Sequence, residues 1–278
     1  MSATPRSIIL CADDYGIAPG VNAAIRDLMA RGRLNATSVM TVAPAFDPEE
    51  ASALARLRSD GRRVAIGLHL TLTAPFRPSV TGFRPLREGA FLPLAATLSS
   101  AFLRRLDDAA LRAEIAAQLA AFTHAFGAPP DFVDGHQHVH LFPQIGDAVI
   151  DAVAASAPQV WLRQCGWPGR WPSANDPKGL LITALSRAFR TRARARGLRT
   201  NQAFAGTYTY NARADFAALF PRFLRGMPEG GLVMCHPGTV DETLRRLDPL
   251  TDAREREYAY LSSAAFPRTL ADAGVTLA

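Results

Sequence analysis

Short apolar runs alternate along this chain with longer segments of helical period, and few folds accommodate that alternation. The run at 7–12, Ser-Ile-Ile-Leu-Cys-Ala, has no polar face, which suits a parallel strand covered by helices on both sides. Parallel neighbours need a crossover helix between them, so the repetition predicts successive β/α units. Strands are expected over 7–12, 36–42, 64–70, 132–135, 159–163 and 231–235, with weaker ones near 202–206 and 275–277. Pro19 opens a helix over 19–30 and Gly32 stops it, while Glu49 and Glu50 sit in the first turn of the next. Further helices are expected over 107–126 and 143–155, and in the arginine-bearing stretch after Leu180. Two more are expected from Asp215, where Pro221 should end or kink the helix, and around 253–270. Seven or eight such strands predict one α/β domain over 1–278, an irregular, TIM-barrel-like (β/α) barrel. The proline-containing segment 71–106 reads as a long loop, and 166–200 as an insertion.

Composition narrows the setting. Hydrophobic residues make up 48% and charged residues 20%, as in a globular domain, and no apolar run is long enough to cross a bilayer. The amino terminus enters a strand at once, without the features of a secretory signal, so a cytoplasmic location is expected. Cys11, Cys165 and Cys235 have no metal or redox spacing and suit a reducing compartment, and Cys11 and Cys235, inside apolar runs, read as buried thiols. The formal charge is +6, and much of the excess lies in Arg187, Arg190, Arg192, Arg194, Arg196 and Arg199. Cations there suit the carboxyl end of a solvated helix better than a binding patch for phosphate or lipid head groups, and no nucleic-acid partner is expected.

The histidines carry the chemistry. His69, His136, His138, His140 and His236 all fall at or just after the carboxyl ends of expected strands, and only His124 does not. In a parallel barrel those ends open on one face, so distant residues meet at one mouth. Asp13, Asp14, Asp134 and Arg163 share that address. If the chain is still extended at Asp13-Asp14, the two carboxylates point to different sides and do different work. Residues 134–140, Asp-Gly-His-Gln-His-Val-His, would set three imidazoles on one side of an extended segment. His69 alone in an apolar strand could be a hydrogen-bonded core residue; beside the other clusters it reads as a ligand. Imidazole with carboxylate is a donor set for a catalytic divalent ion such as zinc or manganese, with positions left for water.

At these residues the chain resembles the YdjC-like carbohydrate deacetylases, a family that includes chitooligosaccharide deacetylases and a branch associated with hopanoid biosynthesis. The resemblance rests on Ala12-Asp13-Asp14-Tyr15-Gly16 with Gly20-Val21-Asn22, on 67–73 around His69, on 134–140, and on Cys235-His236-Pro237-Gly238. Tyr15 and Gly135 depart from residues common there, phenylalanine and serine, without removing a ligand. The resemblance implies a barrel-like (β/α) fold and one ion, Mg2+ or Zn2+, held by Asp14, His69 and His136, with Asp13 as catalytic base. The expected reaction is hydrolysis of the N-acetyl group of an N-acetylglucosamine-containing saccharide or glycolipid to acetate and a free amine.

An amine leaves poorly unless protonated, so a general acid is needed, for which His236 is the candidate and His138 the substitute. Asp134 is placed to orient a ligand imidazole, and Arg163 to hold Asp13 ionised or to bind substrate. A metal-dependent glycoside hydrolase or phosphoesterase, and a non-catalytic protein that binds anionic ligands, are the competing readings. Trp167, Trp171 and the apolar-then-basic helix after them suggest sugar stacking or peripheral contact with a membrane. A homodimer is left open.

Overall fold

The computed structural model describes residues 4–59, 63–167 and 177–277; Trp171 lies outside them. Among the described residues the strands are β1 (Arg6–Tyr15), β2 (Ala36–Val39), β3 (Ala65–Leu70), β4 (Phe132–Gly135), β5 (Trp161–Leu162), β6 (Phe204–Ala205), β7 (Leu232–Cys235) and β8 (Val275–Leu277). The helices are α1 (Pro19–Ala30), α2 (Pro48–Ser59), α3 (Leu94–Phe102), α4 (Asp108–Phe126) and α5 (Pro143–Ser156), then α6 (Pro177–Ala195), α7 (Phe216–Leu224), α8 (Glu242–Leu247), α9 (Asp252–Ser262) and α10 (Ala265–Asp272). All eight expected strands are present, several of them shorter than their apolar runs.

The strands form one sheet in the order β5-β4-β3-β2-β1-β7-β6, with β8 on the start of β1, and every pairing is parallel. The sheet curls into an irregular barrel; its outer strands β5 and β6 are not paired with each other among the described residues, and Leu162 of β5 instead bridges to Thr200, shortly before β6. Ile8, Leu10, Ile66, Leu68, Val133 and Val233 share one face of the sheet and are buried under the helices, as the unalternating apolar runs require. Gly67 lets β3 approach β4, because a Cβ there would lie 2.4 Å from the Phe132 ring.

Three expectations fail. The segment 71–106 is not loop throughout, since it contains α3. That helix has no charged residue and buries only Thr97 and Ala101, so it shows no apolar-inward period to find. Pro221 does not end α7, which runs on to Leu224 while Phe216, Phe220 and Phe223 pack inward; aromatic burial offsets the one hydrogen bond that proline removes. The last expected helix is two, α9 and α10, parted at Ser263.

Candidate active site

Parallel register brings the chemical residues to one level. Ala12 pairs with Cys235, so Asp13 and His236 follow on adjacent strands, and His69 pairs directly with Asp134. β1 does not stay extended to its end: its register with β2 shifts between Ala12 and Tyr15, and Asp14 takes a φ of 71°. The expected divergence of the two carboxylates is therefore achieved by a bulge rather than by simple alternation. Asn22 holds the turn that follows, accepting from the Gly16 N–H at 2.6 Å and donating to the Ala45 carbonyl at 2.8 Å. A Cβ on Gly20 would lie 2.4 Å from the Thr239 carbonyl, so α1 packs tightly on the loop after His236.

Asp13 is gripped by Arg163, which donates from Nη1 to Oδ2 at 2.6 Å and from Nη2 to Oδ1 at 2.7 Å. Arg163 Nη2 also lies 2.6 Å from Asp134 Oδ2. Asp14 Oδ1 faces two imidazoles, His69 Nε2 at 3.2 Å and His136 Nδ1 at 2.9 Å. The remaining nitrogen of His69, Nδ1, lies 2.7 Å from Asp134 Oδ1 and 3.0 Å from Ser38 Oγ. Ligand atoms of Asp14, His69 and His136 all lie within 4.8 Å of one another.

The 134–140 motif is not extended. β4 ends at Gly135 and a 3₁₀ turn over His136–Leu141 follows, with Gln137 and His138 at φ of 55° and 61°. The imidazoles expected on one side therefore separate. His136 reaches Asp14, and His138 lines the cleft with Nδ1 3.6 Å from Cys165 Sγ. His140 turns into the core and donates from Nε2 to the Arg163 carbonyl at 2.9 Å, which makes it a brace for the Arg163 backbone. His236 lines the cleft with Nδ1 3.4 Å from the Tyr210 hydroxyl. Its backbone N–H donates to Glu257, which also accepts from the Tyr208 hydroxyl at 2.6 Å.

These contacts set the charge states. Burial disfavours an ionised Asp13, but the Arg163 guanidinium and His69 outweigh it and hold the carboxyl well below the usual range. Burial is likewise outweighed at Asp14 by Arg254 and His136. At His69 burial opposes protonation, yet the Asp134 carboxylate pushes the imidazole up to about 10. Burial lowers His138, lowers His236 and takes His140 down to about 3. It also raises the Cys11 thiol, which argues against a thiolate nucleophile.

The donor set fits a divalent ion. Four carboxylates, Asp13, Asp14, Asp134 and Asp248, face two buried guanidiniums, Arg163 and Arg254, which leaves two negative charges at the site before the imidazoles are counted. His69 is oriented by a carboxylate behind it, the usual arrangement for a metal-binding imidazole. Asp13, Asp14, His69 and His136 lie at the floor of a cleft of about 650 Å3, whose walls include Leu94, Leu98, Phe142, Leu181, Ile182 and Leu250.

Arg254, Glu257, Ser38 and Tyr210 were not legible in advance. Arg254 and Glu257 lie in Asp-Ala-Arg-Glu-Arg-Glu-Tyr, which reads as a solvated helix, yet both are fully buried. The available signal was their three-residue spacing on the face that carries Ala253, Tyr260 and Leu261.

Fold and site together define an α/β barrel protein with a buried acid–imidazole centre at the carboxyl-terminal mouth of its sheet. A family model described as YdjC-like protein matches residues 7–272, and the chain belongs to that family. It is 26% identical over 282 residues to a chitooligosaccharide deacetylase of Escherichia fergusonii, covering 98% of this chain and 97% of that one. A crystal structure from Enterococcus faecalis V583, described under a proposed role in cellobiose-phosphate cleavage, superposes with a TM-score of 0.74 at 22% identity, over 99% of this chain and 97% of that one. The Bc1960 peptidoglycan N-acetylglucosamine deacetylase shares the fold at a TM-score of 0.51 and 10% identity, over 100% of this chain and 87% of that one.

Proposed function

We propose that this protein removes the N-acetyl group from an amino sugar, yielding acetate and a free amine, with a divalent ion held by Asp14, His69 and His136. The observation that carries the reading is the convergence of those three donors beside a second, separately held carboxylate, Asp13. The chitooligosaccharide deacetylase relative supports the choice of substrate class. Two imidazoles with one carboxylate favour zinc over magnesium. When bound, such an ion supplies Lewis-acid polarisation of the acetamido carbonyl and acidifies water.

The protein's own groups do the rest. Asp13, kept ionised by Arg163, takes the proton of the attacking water. Arg163 also fixes the direction of that carboxylate, because both of its oxygens are engaged. His236 delivers a proton to the leaving nitrogen; the Tyr210 hydroxyl at Nδ1 leaves Nε2 to carry it. A depressed imidazole is a stronger acid once protonated, which suits a poor leaving group. Asp134 holds the His69 ring, and His138 borders the substrate space as the alternative acid. Adjacent carboxylates with one bound to two imidazoles do not flank a glycosidic bond, so the amide reading is favoured over a glycosidase.

The walls of the cleft refine the substrate. Leucines and Phe142 rise above the polar floor, which supports an amino sugar attached to an apolar group over a free oligosaccharide. The test is acetate release from an N-acetylglucosaminyl glycolipid and from N,N'-diacetylchitobiose, with and without chelator. Chelator-sensitive release, faster on the glycolipid, is expected; no acetate from either substrate overturns the reading.

A further inference from the structure

Helix α3 is packed the wrong way round for a water-facing helix. It buries Thr97 and Ala101, and it leaves Leu94 37% and Phe102 46% exposed, with Leu103 just after it at 59%. Leu94, Leu98 and Phe102 recur every four residues along one side of the helix, with Leu98 half-buried against the core between the two exposed residues. The stripe begins inside the cleft, where Leu94 and Leu98 are wall residues, and runs out of it to Phe102. Leu181, near the start of α6, lines the same cleft and is 40% exposed. A single exposed leucine is unremarkable; a continuous apolar rim that opens from a substrate cleft marks an interaction surface.

Charge beside the rim identifies the partner. Arg104 and Arg192, from the ends of α3 and α6, both pair with Asp147 of α5, and Arg105 stands exposed next to them. Two guanidinium groups thus share one carboxylate at the edge of the apolar stripe, and Arg105, next to Arg104 in the chain, is exposed as a third cation. An apolar face bordered by arginines matches the interface of an anionic bilayer, where the side chains enter the acyl boundary and the cations meet phosphate. A second copy of the chain fits less well, since two-fold pairing would bring like-charged edges together. No described helix is long and apolar enough to cross a membrane.

We propose that the outer face of α3, with the start of α6, seats the mouth of the cleft on an anionic lipid surface. What the surface delivers to the site rests on the glycolipid reading above; attachment to lipid does not. The full-length protein is floated with vesicles of phosphatidylcholine and phosphatidylglycerol, and with phosphatidylcholine alone. Association with the anionic vesicles that weakens in high salt is expected. Phe102→Ser with Leu103→Ser should lower partitioning about tenfold or more, the order expected from two large side chains that no longer leave water. Arg105→Gln should weaken binding to the anionic vesicles only. Unchanged melting temperature, zinc content and acetate release from N,N'-diacetylchitobiose show that the variants are intact. Wild-type protein that ignores anionic vesicles, or a double variant that binds them as well as wild type, overturns the proposal. So does a double variant whose only change, by light scattering, is from dimer to monomer. Flotation and acetate release are separate readouts, so docking and deacetylation can fail independently.

Discussion

Arg254 Nη2 lies 2.5 Å from Asp14 Oδ2, so the carboxylate at the centre of the site is divided, one oxygen to a guanidinium and the other to His69 and His136. The same nitrogen lies 2.5 Å from Asp248 Oδ2, in the loop that borders the cleft. One buried side chain of α9 thereby ties a strand end to the wall of the substrate space. Arg254→Met leaves two carboxylates without their cation and should cost about 3–5 kcal/mol in urea unfolding. Zinc affinity should fall about 10–100-fold because Asp14 is no longer oriented. Near wild-type stability and zinc binding in this variant would mean that the pair does not hold the site together.

Asp13 and Asp14 are neighbours in sequence with separate partners, Arg163 for one and Arg254 with two histidines for the other. Their substitutions should separate accordingly. Asp13→Asn is expected to lower acetate release about 10²–10⁴-fold, the contribution of a general base, with metal content by elemental analysis nearly unchanged. Asp14→Asn should lose both together. A metal-free Asp13→Asn protein would move Asp13 from base to ligand.

The barrel was readable because buried parallel strands leave runs of aliphatic residues, and β1, β3 and β7 are such runs. The clustering of Asp13, Asp14, His69, His136 and His236 followed from topology alone, since all five sit where strands end. What escaped was whatever depends on local backbone or on helices reaching back. The turn at Gln137 and His138 adopts positive φ without a glycine to announce it, so the three alternating imidazoles gave no sign of separating. Arg254 and Glu257 serve the site from a helix whose composition describes solvent, and only packing reveals that they face inward.

Chelation tests the donor set without substitution. His69 and His136 are held near Asp14 before any ion arrives, so binding should need little rearrangement. Zinc at about 100 times its dissociation constant should stabilise the folded chain by about 2.7 kcal/mol, seen as a rise in melting temperature that chelator reverses. His69→Ala and His136→Ala should abolish the rise. A shift of equal size in those variants would place the zinc elsewhere.

Glu257 gives the protein a pH dependence of its own. Burial pushes its carboxyl from an ordinary value of 4.5 up to about 7, against hydrogen bonds from Tyr208 and the His236 backbone and the attraction of Arg254. The folded state therefore binds this proton more tightly than the unfolded chain does. The stability it contributes is fully present below a pH of 4.5 and is lost as pH rises through about 7. A gap of that size corresponds to about 3 kcal/mol. Glu257→Gln keeps a carbonyl acceptor for Tyr208 and cannot ionise, so its melting temperature should change less than that of wild type between about pH 5 and about pH 8. The variant also loses an acceptor for the His236 N–H, which sets a lower starting stability but no slope. Parallel curves for the two proteins would show that the carboxyl is ionised throughout the range, and that hydrogen bonding at this site outweighs burial.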